Sequence, residues 1–463
     1  MTEMSIDTTI DQRLVDELTA HGPTGWRRLD AVFAMTVVTE AADLVYSVAS
    51  QRMSVRAPET VLTLVRRLRT GAAAMPQGPW WRMLLIMNNS GEMDVTYDYG
   101  AEPFPPEQLF APEAYRADLA AFPRDKLPVW LGAYLGHQDR QQRTVQQAAA
   151  GARADWDGQV WATLAEHEFP PLPMLLARWT TIAAAFVAAR SDWGPRMLPS
   201  AGVFEGDARS GSTVHVLPGD RAVLSGGVWN APSLDAVYNG GEPMPKLFAG
   251  APDWVANPVL NPRAAAGLLS FCYWWEAGHW YRGQSPSARE CAEAVPGVWS
   301  ADSVSAIIAG LAAAPGSDIS TAATALVSSA EAGRVTREDL AAVFGDNERH
   351  DIDGALYQYS IMGLAPAPPR RMPERLAIAR VGDYIIGNRY DTTGYPLSEL
   401  VAHRISAGWM VHVPVPEGEI SIGRAIFYIA DDGVVEQSSS SVPPAKFVVG
   451  FEERFSERRQ SAL

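Results

Sequence analysis

The stretch from Trp80 to Gly100 reads WWRMLLIMNNSGEMDVTYDYG, and it decides the fold class. Two β-prone runs flank Asn88-Asn89-Ser90-Gly91, whose residue types tolerate positive φ, so the segment predicts a hairpin. Side chains alternate across a strand. On the second run Glu92, Asp94, Thr96, Asp98 and Gly100 share one parity, while Met93, Val95, Tyr97 and Tyr99 share the other. One face is therefore acidic and the other packs. The acidic face is either a solvated sheet surface or a docking face for a basic partner, with Glu92, Asp94, Asp98 and the nearby Glu102 as its candidate contacts.

The flanks of the hairpin carry helical and strand signals. Ile10, Leu14, Val15 and Leu18 follow helical spacing, which Gly22-Pro23 ends. Trp26 to Val38 predicts a strand. Pro58 to Leu68 predicts a short amphipathic helix with Val61, Leu64, Val65 and Leu68 on one face and Arg66, Arg67 and Arg69 near its carboxyl end, where cations suit the helix dipole. After the hairpin, 101–115 is Pro-rich and then helical, and 137–153 reads as an exposed helix or linker. The first domain is expected to be 1–145.

A second α+β domain is expected at 150–300. It opens with a long apolar helix at 172–189, followed by strands STVHVL and RAVLSGGVW and the hairpin SFCYWWEAGHWYRG, turned at Ala277-Gly278. Both parities of that hairpin carry aromatics. Either it is covered on both sides, or Trp274, Trp280 and Tyr281 present a patch suited to a partner's hot spot. Gly100-Ala-Glu-Pro-Phe-Pro followed by Leu109-Phe110-Ala111 is echoed at Gly240-Gly-Glu-Pro-Met-Pro and Leu247-Phe248-Ala249, which raises a divergent repeat of the first domain. Residues 301–369 read as an Ala-rich helical connector, with a variant capping box at Thr336 and Asp339 and a Pro-rich linker at 365–371. The last domain, 370–463, reads as helix, β-meander, helix, with a turn at Asp431-Asp432-Gly433. The whole is an α+β, multidomain chain of small antiparallel sheets packed with helices.

Composition bounds the function. With 463 residues, 47% of them hydrophobic and 20% charged, the chain is expected to fold into about three domains. Its formal charge of -15, from 38 Lys and Arg against 53 Asp and Glu, argues against a dedicated nucleic-acid binder, which needs clustered cations. The excess is densest in 301–369, with 3 basic and 9 acidic residues, so bulk charge serves solubility and the docking argument rests on the 80–100 hairpin. Cys272 and Cys291 cannot make a disulfide framework. The N-terminus lacks the pattern of a secretory signal, and no run is long and apolar enough for a membrane helix. A cytoplasmic location is expected.

Catalytic and cofactor motifs do not emerge. The eight histidines form no HxH or HExxH pattern. In DNERHDIDG at 346–354, an EF-hand register would place Arg349 and Ser360 where carboxylates are needed, so an acidic helix start is the better reading. Ser225-Gly226-Gly227 lies between strand-like runs and reads as a bulge or bend rather than a phosphate loop. Ser212 and His215, read as lying on one face of a predicted strand, lack a positioned third group. Expected are no catalytic residue, no metal and no cofactor.

The first 135 residues resemble the YezG-type immunity proteins of bacterial polymorphic toxin systems. The resemblance runs through Gly25-Trp26, Val55-Arg56-Ala57-Pro58, Leu64-Val65-Arg66-Arg67-Leu68-Arg69, Pro79-Trp80-Trp81, Gly91, the 94–100 strand and the Pro103 to Trp130 tail. The last 90 residues look more distantly like YrhB-type immunity domains, through Ala379-Arg380-Val381-Gly382-Asp383-Tyr384-Ile385 and the 429–444 hairpin. These resemblances imply a cytosolic antidote that blocks a secreted toxin domain, a nuclease or an NAD-consuming enzyme, without catalysis. Trp80, Asp94, Tyr97, Asp98 and Tyr99 transfer as framework or contact residues. Such proteins usually have one domain, whereas this chain strings several together, which allows avidity. The alternatives are an adaptor or chaperone for a secreted protein, and an enzyme with an unrecognised site.

Overall fold

The computed structural model describes residues 8–461 except 76, 207, 313–318, 366–371 and 416–422. The chain divides into two compact units, Met1–Pro366 and Ala367–Leu463. Among the described residues it has thirteen α-helices and three antiparallel sheets, an α+β architecture.

The first unit begins with α1 (Thr8–His21), β1 (Trp26–Met35), β2 (Glu40–Val48), β3 (Gln51–Val55), α2 (Glu59–Ala72), β4 (Arg82–Asn88) and β5 (Met93–Asp98). The five strands lie in the order β3-β2-β1-β4-β5. Leu29, Ala31 and Phe33 of β1 and Met83, Leu85 and Met87 of β4 share a core with Leu14 and Leu18 of α1 and Val61, Leu64, Val65 and Leu68 of α2. The two helices therefore cover one face of the sheet, and the other parity faces outward. At the β4–β5 turn the Asn88 carboxamide oxygen accepts from the Ser90 and Glu92 backbone N–H groups, both at 3.0 Å, and Gly91 supplies φ 88°. β2 and β3 were not anticipated: β3 is polar and exposed, and β2 mixes Ala, Leu, Val and Tyr with Glu40 and Asp43 without clean alternation.

Helices α3 (Pro112–Ala121) and α4 (Val129–Gly136) follow. Phe104, Tyr115, Trp130 and Leu131 pack on Trp81 in a separate aromatic core. Then come α5 (Val145–Asp157), β6 (Thr163–Leu164), α6 (Leu172–Ala188), β7 (Arg196–Leu198), β8 (Ala201–Glu205), β9 (Gly211–Leu217), β10 (Arg221–Gly227), α7 (Pro232–Tyr238), β11 (Phe271–Glu276) and β12 (His279–Arg282). The seven strands are ordered β6-β12-β11-β10-β9-β8-β7.

Two expected boundaries are corrected. The break placed near 145–150 falls on α5, which lines a shared cavity with residues 244–256 and accepts, through Asp155 Oδ2, the Gly250 backbone N–H at 2.8 Å. Nor is 301–369 a connector. Its helices α8 (Ala301–Ala312), α9 (Ser320–Glu331), α10 (Arg337–Phe344) and α11 (Ile352–Ile361) share one hydrophobic core with α6 and one face of the seven-stranded sheet. The Ala-rich composition that suggested a spacer instead permits close helix packing around α6, which is mostly apolar and buried over most of its length. Arg178 of α6 meets Glu331 of α9 at 2.7 Å. The capping box at Thr336 and Asp339 is formed, and Asp351 caps α11 by accepting from Gly354 N–H at 2.9 Å. The linker expected at 365–371 lies, beyond Ala365, outside the described residues.

The repeat finds no structural counterpart. Its first copy follows an edge strand and leads into α3, whereas the second follows α7 and leads into a 3-10 turn at Asp253–Ala256. The two sheets also differ in strand order. Gly226 is no bend either: it pairs regularly with Ser212 and Phe271, and a Cβ there would stand 2.5 Å from both Gly211 O and the Phe271 ring. Close packing of neighbouring strands requires that glycine.

The second unit contains α12 (Glu374–Gly387), β13 (Val401–Ile405), β14 (Gly408–His412), β15 (Ala425–Ala430), β16 (Val435–Ser439) and α13 (Pro444–Ser461). Its strands form a simple meander. Val411, Phe427 and Ile429 pack with Ala377, Val381 and Ile385 of α12. Tyr428 and Ala430, of the opposite parity, pack with Phe451 and Phe455 of α13. Both faces of this sheet are therefore covered.

Candidate docking face

Among the described residues, the five-stranded sheet differs from the other two in having one face whose centre no other segment covers. Its register sets the outward side chains in rows. Ser54, Val45, Asp30, Ile86 and Asp94 make one row. Asp43, Val32, Leu84 and Thr96 make the next. Val32, Val45 and Leu84 are half-buried and Ile86 is 44% exposed, so a small apolar centre lies on an open surface. Around it stand Arg28, Arg52 and Arg82 against Asp30, Asp43, Glu92, Asp94 and Asp98. Acids outnumber bases on this face.

Local pairing decides which of those charges is available. Arg28 is tied to Asp30 at 2.6 Å. Asp98 is held by Arg82 at 2.8 Å with both side chains largely buried, and its other oxygen accepts the Gly100 N–H at 2.8 Å. Arg82 also lies over the Phe104 ring and donates to Gln108. That end of the face is thus covered by the 104–108 segment, and Asp98 is a framework residue. Glu92 accepts from Asn88 Nδ2 at 2.8 Å and stabilises the turn while remaining exposed. Asp94 is exposed and has no hydrogen bond or ion pair among the described residues. Glu102 lies off the sheet, in an exposed ion pair with Arg209 at 2.8 Å. Of the four anticipated acids, Asp94 and Glu92 share the open face.

The aromatic candidates are corrected. Trp274 is 1% exposed and Trp280 3%. The β11–β12 hairpin is covered on both sides: Tyr273, Trp275 and Trp280 enter the core under α6, while Cys272 and Trp274 enter a second core with Leu247, Val255 and Leu260. Tyr281 is half-buried and stacks on Trp274 at 6.2 Å. Continuous aromatic runs mark a strand buried on both faces. The exposed tryptophans are elsewhere, at Trp156 (69%), Trp161 (64%) and Trp193 (72%). The sequence does not signal them, because Trp156 and Trp193 stand among polar and glycine residues and Trp161 sits beside Val160 and Ala162, none of them in a periodic apolar run.

Behind the covered end lies an ionic node. Asp118 accepts Arg69 Nη2 on both oxygens at 2.7 Å, Trp81 Nε1 at 3.0 Å and the Val37 backbone N–H at 2.9 Å. Both charged side chains are buried. With every acceptor position filled, this carboxylate fixes α3 against α2 and the β1–β2 loop. Burial pushes the Tyr97 and Tyr115 phenols up to about 12, so they act as neutral packing groups.

The remaining chemistry is structural. Ser212 and His215 differ by three positions on β9 and so point to opposite faces, contrary to their expected shared face. Ser212 Oγ donates to Ala294 O at 2.6 Å. Burial lowers the His215 pKa. Cys272 and Cys291 are free and buried, and burial raises both thiols. Among the described residues no group of three or more His, Cys, Asp or Glu could hold a metal ion, and no helix is long and apolar enough to cross a membrane.

Fold and site together define a multidomain α+β protein with three small antiparallel sheets, one of them open on one side. No protein-family model and no curated protein sequence matches the chain.

Proposed function

We propose that this chain is a cytosolic immunity protein that sequesters a secreted polymorphic toxin domain, using the outward face of the five-stranded sheet. The observation that carries the reading is that face: an apolar centre of Val32, Val45, Leu84 and Ile86 ringed by charge, on a sheet whose opposite side is packed by two helices. An apolar patch with a polar rim on a rigid scaffold suits protein recognition. The excess of acids favours a basic partner, such as a toxin whose groove binds nucleic acid. The resemblance of residues 1–135 to YezG-type immunity proteins supports the same reading, since it spans this sheet.

The test is co-expression with the carboxyl-terminal domains of large secreted proteins encoded beside its gene, scored by growth and by co-purification. The expected result is that one domain is toxic alone, is neutralised by this chain and co-purifies with it. Co-purification with a non-toxic partner would instead support an adaptor. If no neighbouring domain is toxic, the immunity reading fails.

A further inference from the structure

Arg124, in the segment between α3 and α4, makes no ion pair among the described residues. Its Cζ lies 3.7 Å from the Trp81 ring centroid, and its Nη2 donates to Pro79 O. That is its one hydrogen bond among the described residues; Nε is shut off from solvent and meets no acceptor. The nearby carboxylate, Asp118, is already saturated by Arg69, Trp81 and Val37. Arg69 therefore takes that carboxylate, and Arg124 makes no ion pair with it. Burial lowers the Arg124 pKa to about 10, which leaves it charged at neutral pH.

Arg124 lines a cleft of about 860 Å³ with Gln77, Tyr99, Lys126 and Asn230 among the other walls. The acids of the lining do not balance Arg124. Asp235 is held by Lys126 and Asn239, each at 2.8 Å, and Asp125 stands exposed at the rim. Tyr99 is half-buried with its phenol pKa raised by burial, so it offers a neutral O–H. A guanidinium stacked on an indole is held in one plane; with Nε enclosed and Nη2 donating to Pro79, Nη1 and the second Nη2 hydrogen are the donors left for an oxyanion.

We infer that this cleft is an oxyanion-binding site, with Arg124 as the principal ligand for a carboxylate or phosphate group. The site is independent of the docking reading, because it uses none of the outward residues of the five-stranded sheet. Isothermal titration of the full chain at low ionic strength, with inorganic phosphate in one arm and succinate in the other, distinguishes the two sources. Saturable one-site binding of either is expected, and Arg124→Gln should weaken it at least about tenfold. Lys126→Gln should change it far less, since Lys126 is engaged by Asp235.

Because Arg124→Gln also removes packing on Trp81, its melting temperature is measured alongside. The wild-type chain gives a second readout: the Arg Nε–H NMR signal that disappears in Arg124→Lys should shift on titration. The inference is overturned if neither anion gives saturable heat or moves that signal up to about 10 mM. Unchanged binding in a folded Arg124→Gln protein overturns it equally.

Discussion

The hairpins at 82–98 and 271–282 are both antiparallel, and each lies within a larger sheet. They differ in what covers them. The first alternates, with Met83, Leu85 and Met87 inside and Leu84, Ile86 and Asp94 outside. The second carries aromatics at both parities and has a core on each face. Alternation leaves a face available for a partner, whereas an unbroken aromatic run is already satisfied within the chain. Abundant tryptophan is therefore a poor guide to a binding surface, and an alternating strand with modest aliphatic residues is a better one.

Four measurements would break or sharpen that contrast. The largest effect is expected for Trp274→Ala, which should lose about 3 to 5 kcal/mol of unfolding free energy in denaturant titration; a near-neutral result would mean that this hairpin is not enclosed. Within the first module, Asp118→Asn should cost about 3 kcal/mol, because it strips a buried guanidinium of its partner at the covered end of the sheet. A loss no greater than that of an exposed pair would remove the node from the framework.

A smaller effect concerns His215 on β9. Its pKa is lowered in the folded state by burial, so below the ordinary value of 6.5 the unfolded chain binds more protons and stability falls as pH falls. His215→Gln should flatten the melting temperature between about pH 7 and 5 relative to wild type; an identical pH profile would exclude this histidine as a source. The smallest stability change, within about 0.5 kcal/mol, is expected for Ile86→Arg and Asp94→Lys on the open face. Those two variants should nevertheless weaken binding of the proposed toxin partner, Ile86→Arg by about 2 kcal/mol as a central contact. Undiminished affinity in both would rule out this face as the docking surface.

Much of the local structure was legible. The Asn88–Gly91 turn, the Thr336–Asp339 cap, the apolar helix at 172–188 and the helix–meander–helix order of the last unit each follow from short-range chemistry: side-chain oxygens that replace backbone partners, and apolar spacing that matches one period. β2, β3 and β13 were less legible because half-exposed strands carry little apolar contrast. The candidate docking face was legible in part: parity placed Asp94 and Glu92 outward, but no sequence pattern shows that Asp98 is neutralised by Arg82 or that Glu102 reaches Arg209 across 107 positions.

The sequence by itself determined the element types, the alternation of the 82–98 hairpin and the α+β class, because these depend on neighbours within a few residues. Only the tertiary structure decided that 301–365 completes the core around α6, that Trp274 and Trp280 are enclosed, and that one sheet face stays open. It also left Arg124 with no ion pair among the described residues. Each of these is a matter of which distant surfaces meet, and burial and charge pairing across long separations leave no periodic trace in the chain.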